Sequence, residues 1–171
     1  MIMTKKGLVR VENLCPDDRV LTRDNGFQPV AWVGARRFNP EIERPISLPV
    51  VDGNGDFCER RLLMSPEHRV LRVEGGRSAH HQTEETLVKA KDFAMSSAVG
   101  TTSVFSNFYV HVLFEEHQII LAEGAWVESL RPTPEMIAGL SPSNHVSMTA
   151  QLPKVASLSG QEFEPARPLA A

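Results

Sequence analysis

Apolar runs in this chain are only a few residues long, and most end at glycine, proline or an Asn/Asp turn. Such punctuation leaves room for short strands and tight turns and little for long helices. Residues 8–11 (Leu-Val-Arg-Val) and 20–22 (Val-Leu-Thr) are short β-prone runs. Asp24-Asn25-Gly26 follows the second, and Asn-Gly is a strong hairpin signal because both residues tolerate positive φ. Residues 27–33 read as the return strand, with Val30, Trp32 and Gly34 on one face. Pro29 puts that strand on an edge or at a bulge. The pattern repeats. Residues 46–51 are apolar around Pro49, 52–55 form a turn, and 57–64 and 68–73 are strand candidates split by Ser65-Pro66-Glu67. Residues 74–85 carry Gly75-Gly76 without apolar periodicity and read as a mobile loop. Residues 86–93 read as a short strand, 104–115 as a long β-rich run, and 117–121 and 125–130 as a closing pair turned at Gly124. The expectation is an all-β fold.

Composition divides the chain near Pro132. Residues 132–171 hold 6 of the 12 prolines, and Phe163 alone among the aromatics. The expectation is a β domain over 1–131 and a loosely packed Pro-rich extension over 132–171. Within it, residues 142–152 suit a short helix, with Ser141 as N-cap, Pro142 at N1 and Pro153 as the stop.

A net charge of −3 argues against a nucleic-acid footprint. No apolar run approaches the ~18 residues of a membrane span, and no secretory leader is visible. The chain as written reads as cytoplasmic, with export of a longer precursor left open. Cys15 and Cys58 are too few for a disulfide framework or zinc cluster and read as buried thiols. His80-His81 could meet Glu84 at a metal, but adjacent side chains on an extended chain point apart. The expectation is no metal and no cofactor. Trp32, Phe114 and Trp126 read as core aromatics, and Arg36-Arg37 and Arg60-Arg61 as solvated pairs.

Three segments go beyond composition: Ile2-Met3-Thr4 through Gly7 to Val11-Glu12-Asn13-Leu14-Cys15-Pro16-Asp17-Asp18-Arg19-Val20; Met64-Ser65-Pro66-Glu67-His68-Arg69-Val70; and His111 through Glu115-Glu116-His117 to Gly124-Ala125-Trp126-Val127-Glu128-Ser129. In this order and spacing the chain resembles the Hedgehog/intein (Hint) family, in its bacterial branch outside the inteins proper. The resemblance covers about residues 2–130. It implies a horseshoe-shaped all-β fold and a self-processing chemistry. In active members an N-terminal Cys or Ser attacks the preceding peptide carbonyl, turning an amide into a thioester or ester. A His in a Thr-x-x-His motif supports the strained amide and protonates its nitrogen. Splicing, sterol transfer or hydrolysis then resolves the ester. A thiolate is a strong nucleophile, and amide nitrogen needs a positioned acid to leave.

Carried across by residue, Ser65 and His68 match Thr-x-x-His, with Ser for Thr. His117 and Glu128 fall in the closing segment; His117 reads equally as a site residue or as a structural hairpin His, and His111 as structural. Inteins end that segment with His-Asn, where Glu128-Ser129 stand here, so protein splicing is disfavoured. Asp17 occupies a turn position where the family usually has Gly. The family's Cys-Phe-x-x-Gly-Thr-like block precedes the position of Ile2, and Met1 cannot perform the acyl shift. Cys15 lies where the family has no nucleophile. The expectation is a Hint domain inactive as written, better explained by a start placed too late than by decay. If a longer form exists, its partner is its own polypeptide. The alternative is a non-catalytic β-rich interaction module that pairs through an exposed sheet edge. A trans-acting hydrolase built on His68 and Glu128 lacks a nucleophile motif.

Overall fold

The computed structural model describes residues 1–39, 41–51, 57–74, 84–95, 108–133, 136–137 and 141–151. Twelve strands carry the fold there: β1 (Ile2–Thr4), β2 (Gly7–Val9), β3 (Arg19–Thr22), β4 (Gly26–Pro29), β5 (Trp32–Arg37), β6 (Ile46–Val51), β7 (Phe57–Met64), β8 (Arg69–Glu74), β9 (Glu84–Lys89), β10 (Phe108–Leu113), β11 (Ile119–Ala122) and β12 (Ala125–Glu128). A 3-10 turn lies at Val11–Asn13, α1 (Ala90–Met95) follows β9, and α2 (Pro142–Gln151) lies beyond β12. The main sheet runs β2-β1-β3-β11-β12-β8-β9, with β4 added to β3, and β5–β10 and β6–β7 form separate ribbons. The architecture is all-β, and among the described residues every strand pair is antiparallel.

The chain leaves the main sheet at Pro29. Residues 27–33 are not one return strand. β4 pairs with β3 as far as Pro29, and β5 pairs with β10 from Trp32. Proline cannot donate to a ladder, which suits β4, whose pairing is to β3. Val30 and Ala31 make the crossing. Val30 N donates to Asp18 O at 2.9 Å, and Ala31 N donates to Leu113 O at 2.8 Å. The crossing places Val30 in the main core and Trp32 in a second cluster.

The main core gathers Ile2, Leu14, Val20, Val70, Val112, Ile120 and Val127 from six elements and one turn. The second cluster is Trp32, Leu113 and Met148. Met148 of α2 is fully buried, so the extension is anchored there and not loosely packed throughout. Ser141 Oγ accepts from Asn144 N at 3.4 Å at the start of α2, and Asn144 Nδ2 donates to Ala35 O on β5 at 2.9 Å.

Other departures are local. The strand expected over 86–93 is Glu84–Lys89, and Ala90–Met95 is helix. Ala, Lys and Met are good helix formers, and Ala90 and Phe93 at i, i+3 face the core together. The loop expected over 74–85 is narrower, because Glu74 pairs with Glu84 and Val73 with Glu85; its residues 75–83, with His80-His81, lie outside the described residues. So do the turn at 52–55, residues 104–107 of the long β-rich run, and the side chain of Cys58. Arg36 is half-buried, not solvated. Cys15 is exposed, contrary to the buried thiol expected, because Leu14 takes the inward position of that turn. Asp17 has φ +70, the left-handed region that favours glycine.

Candidate functional site

The site begins at the β7–β8 turn. Ser65-Pro66-Glu67-His68 closes on itself through His68 N donating to Ser65 O at 3.1 Å. The start of α1 then holds the turn from outside. Ala90 N donates to His68 O at 2.7 Å and Lys91 N to Pro66 O at 3.1 Å. Glu67 pairs with Lys89 at 2.8 Å and also with Lys91. These cations hold the Glu67 carboxyl down at about 2. Glu67, which the sequence placed only in the break between two strands, is thus part of the clamp on the turn.

The second wall is the β11–β12 hairpin. Its register pairs Ile119 with Glu128 and Ala122 with Ala125. The two-residue turn, Glu123-Gly124, has φ +48 and +82, the primed geometry that suits the twist of a tight hairpin. Val127 pairs with Val70 on β8, which sets Glu128 beside the His68 turn. Glu128 Oε1 accepts from Arg69 N at 3.1 Å. Glu128 Oε2 lies 3.7 Å from His117 Nε2, an electrostatic contact longer than a hydrogen bond. Beside it, Ser129 Oγ accepts from Gln118 N at 2.9 Å and Ser129 N donates to Gln118 O at 2.7 Å. Ser129 is therefore occupied in holding the hairpin base.

His117 Nδ1 lies 3.5 Å from Arg131 Nη2. A guanidinium can only donate, so Nδ1 accepts and the ring proton of neutral His117 sits on Nε2, toward Glu128. Burial pushes the Glu128 carboxyl up, but His117, His68 and Arg69 outweigh it and hold it below the usual carboxylate range. Burial pushes the His68 imidazole below its usual value; the Glu128 carboxylate and backbone carbonyl pull the other way, and His117 adds to the lowering. The outcome is an ionised carboxylate beside a half-buried, uncharged imidazole whose Nε2 is closed to solvent.

Of the residues singled out from the sequence, His68, His117 and Glu128 come together here. Ser65 supplies the carbonyl that closes the turn. Cys15 does not join them; it sits in the turn before β3, beside Asp18, whose Oδ2 accepts from Cys15 N at 3.0 Å. Among the described residues no group of three His, Cys, Asp or Glu side chains is placed to hold a metal ion, and no helix is long and apolar enough to cross a membrane. His111 was missed. It senses His68 electrostatically, yet a lone His in an alternating strand carries no signal of that in one dimension.

A scan against family models matches the Hint domain over residues 1–134. This chain belongs to the Hint domain family. No curated protein matches it, and no solved structure does. The match spans both walls of the site and the all-β core. It stops before α2, so the helix that buries Met148 lies outside the matched Hint region. Membership relates the chain to self-processing domains.

Proposed function

We propose that this Hint domain is the acid–base half of a self-processing unit, and that residues 1–171 alone break no peptide bond. The observation that carries the reading is the meeting of His68, Glu128 and His117 from a turn and a hairpin far apart in sequence. In the reaction this site fits, a thiol sulfur attacks the carbonyl of the peptide bond before it. The S–C bond forms and the C–N bond breaks. His68, uncharged at rest, takes the proton released by the thiol and hands it to the departing nitrogen. Glu128 favours the charged imidazole in between. Such a positioned acid contributes about 10²–10⁴-fold in rate.

In the Hint family the nucleophile stands in a block ahead of the position that matches Ile2. Met1 stands at the tip of the β11–β12 hairpin, where its carbonyl accepts from Glu123 N at 2.9 Å. Glu128 is at the base of that hairpin, about 10 Å from Ala125 along β12. A six-residue block reaches up to ~20 Å, enough to return to His68. The test places residues 2–171 behind a Cys-led block of the family type and a reporter. Thiol-induced release of the reporter, lost in His68→Ala, is expected. A folded fusion that releases nothing with thiol contradicts the reading.

A non-catalytic interaction module is the second reading. It is favoured by β2, an end strand of the main sheet that leaves Leu8 exposed. Oligomerisation that rises with concentration and is lost in Leu8→Lys would support it, and a monomer at all concentrations would remove it.

A further inference from the structure

Glu128 meets a different partner with each carboxylate oxygen. Oε1 accepts from Arg69 N at 3.1 Å, which ties Glu128 to the residue after His68. Oε2 lies 3.7 Å from His117 Nε2, and the His117 and Glu128 side chains are only 13% and 15% exposed. Salt and solvent therefore screen this approach little. A neutral imidazole carries its one proton on either nitrogen. With the proton on Nε2, an N–H turns its positive end to the carboxylate. With the proton on Nδ1, a bare lone pair would face a carboxylate oxygen, and the two acceptors would repel. The tautomer of His117 thus decides whether Glu128 is drawn into its place or pushed from it.

Arg131 stands at the other side of the ring, its Nη2 3.5 Å from His117 Nδ1, at the long end of hydrogen bonding. A proton on Nδ1 would meet a guanidinium N–H head-on, since arginine offers donors and no acceptor. The partner of one ring nitrogen sets the state of the other. The chain delivers Arg131 to this spot with little freedom. Ser129 N donates to Gln118 O at 2.7 Å, beside His117, and Leu130 N donates to Val112 O on β10 at 2.8 Å. Leu130 packs against the Trp32 cluster. Pro132 follows and is buried, and a residue before proline is pressed toward extended backbone. His117 is thus faced by Glu128 from β12, by His68 from the β7–β8 turn and by Arg131 from the segment after β12.

We propose that Arg131 is a positioning residue of this site: through His117 Nδ1 it fixes the tautomer that carries its proton on Nε2, and that N–H holds Glu128 against the His68 turn. Its effect on the reaction rests on the self-processing reading; its effect on the tautomer does not.

Two measurements test it. In residues 1–171 at about pH 8, where an ordinary imidazole is uncharged, the ring ¹⁵N shifts of His117 are expected to show a bare Nδ1 and a protonated Nε2. A protonated Nδ1 overturns the proposal. Arg131→Glu puts an acceptor where the donor stood and is expected to draw a proton onto Nδ1. Arg131→Lys, again a donor without an acceptor, is expected to keep the parent pattern. A folded Arg131→Glu chain whose Nδ1 stays bare overturns the proposal. In the Cys-led fusion, Arg131→Met is expected to slow thiol-induced release about tenfold, within what a loosened site geometry costs, and Arg131→Lys to restore most of it. A folded Arg131→Met fusion that releases at the parent rate overturns the proposal, whether or not Arg131→Glu folds. A parent fusion that never releases defeats the self-processing reading instead, and the His117 tautomer then decides on Arg131 by itself.

Discussion

Asp17 carries a φ of +70 in an exposed turn, a conformation that costs a non-glycine residue roughly 1–2 kcal/mol, less for Asp. Asp17→Gly is therefore expected to raise stability by about 0.5 kcal/mol, read as a higher urea midpoint at unchanged slope. The sequence showed this position by its Pro-Asp-Asp turn, and it showed the Ser65–His68 spacing. It could not show His111 within electrostatic reach of His68, because strand alternation says which face a His takes and not what that face meets. Nor could it show Cys15 exposed, since thiols are mostly buried and the competing Leu14 is known only from the fold. At Glu128 the prediction concerns charge. Glu128→Gln keeps an acceptor for Arg69 N but removes the carboxylate that favours charged His68. The His68 titration midpoint is expected to fall, as read by ¹⁵N shifts. An unchanged midpoint would show that the two do not share a field.

Strands and turns were the legible elements, because Asn25-Gly26 and Glu123-Gly124 punctuate the chain where it reverses. What escaped was partner choice. Residues 27–33 read as one strand, yet Pro29 ends pairing with β3 and the chain passes to β10. α1 escaped because six residues are too short for a helical period to declare itself against a neighbouring strand. α2 was legible from Ser141-Pro142, but its seat was not. Met148 fills the space over Trp32 and Leu113. Met148→Ala is expected to cost about 2–4 kcal/mol, with a red-shifted tryptophan emission as Trp32 is wetted. Gly34→Ala is the sharper probe of the ribbon. Its Cβ cannot coexist with the present Trp32 ring position, so a loss of about 3 kcal/mol or of folding is expected, and native stability would refute the packing described.

For the molecule as a whole, the gathered imidazoles make stability depend on pH. Folded His111 takes its proton only near about 4, whereas an unfolded imidazole takes one near ~6.5. As pH falls the unfolded chain binds protons first, so stability is full above about 6.5 and declines from there to about 4. The lowered His68 adds in the same direction. On the order of 2 kcal/mol is at stake at His111, and His111→Phe is expected to flatten the decline in urea titrations between those limits. Below about 4.5 a further loss begins as Glu67 gives up its lysines, small because that cluster is exposed. These effects bear on the folded site, and its chemistry is tested elsewhere. The direct measurement is the intact mass of the protein expressed from its native locus with ample upstream DNA, with and without added thiol. The account predicts a mass above 19.0 kDa, or a fragment whose yield rises with thiol. A mass matching Met1–Ala171 and indifferent to thiol would contradict it and leave His68 a relic of a lost reaction.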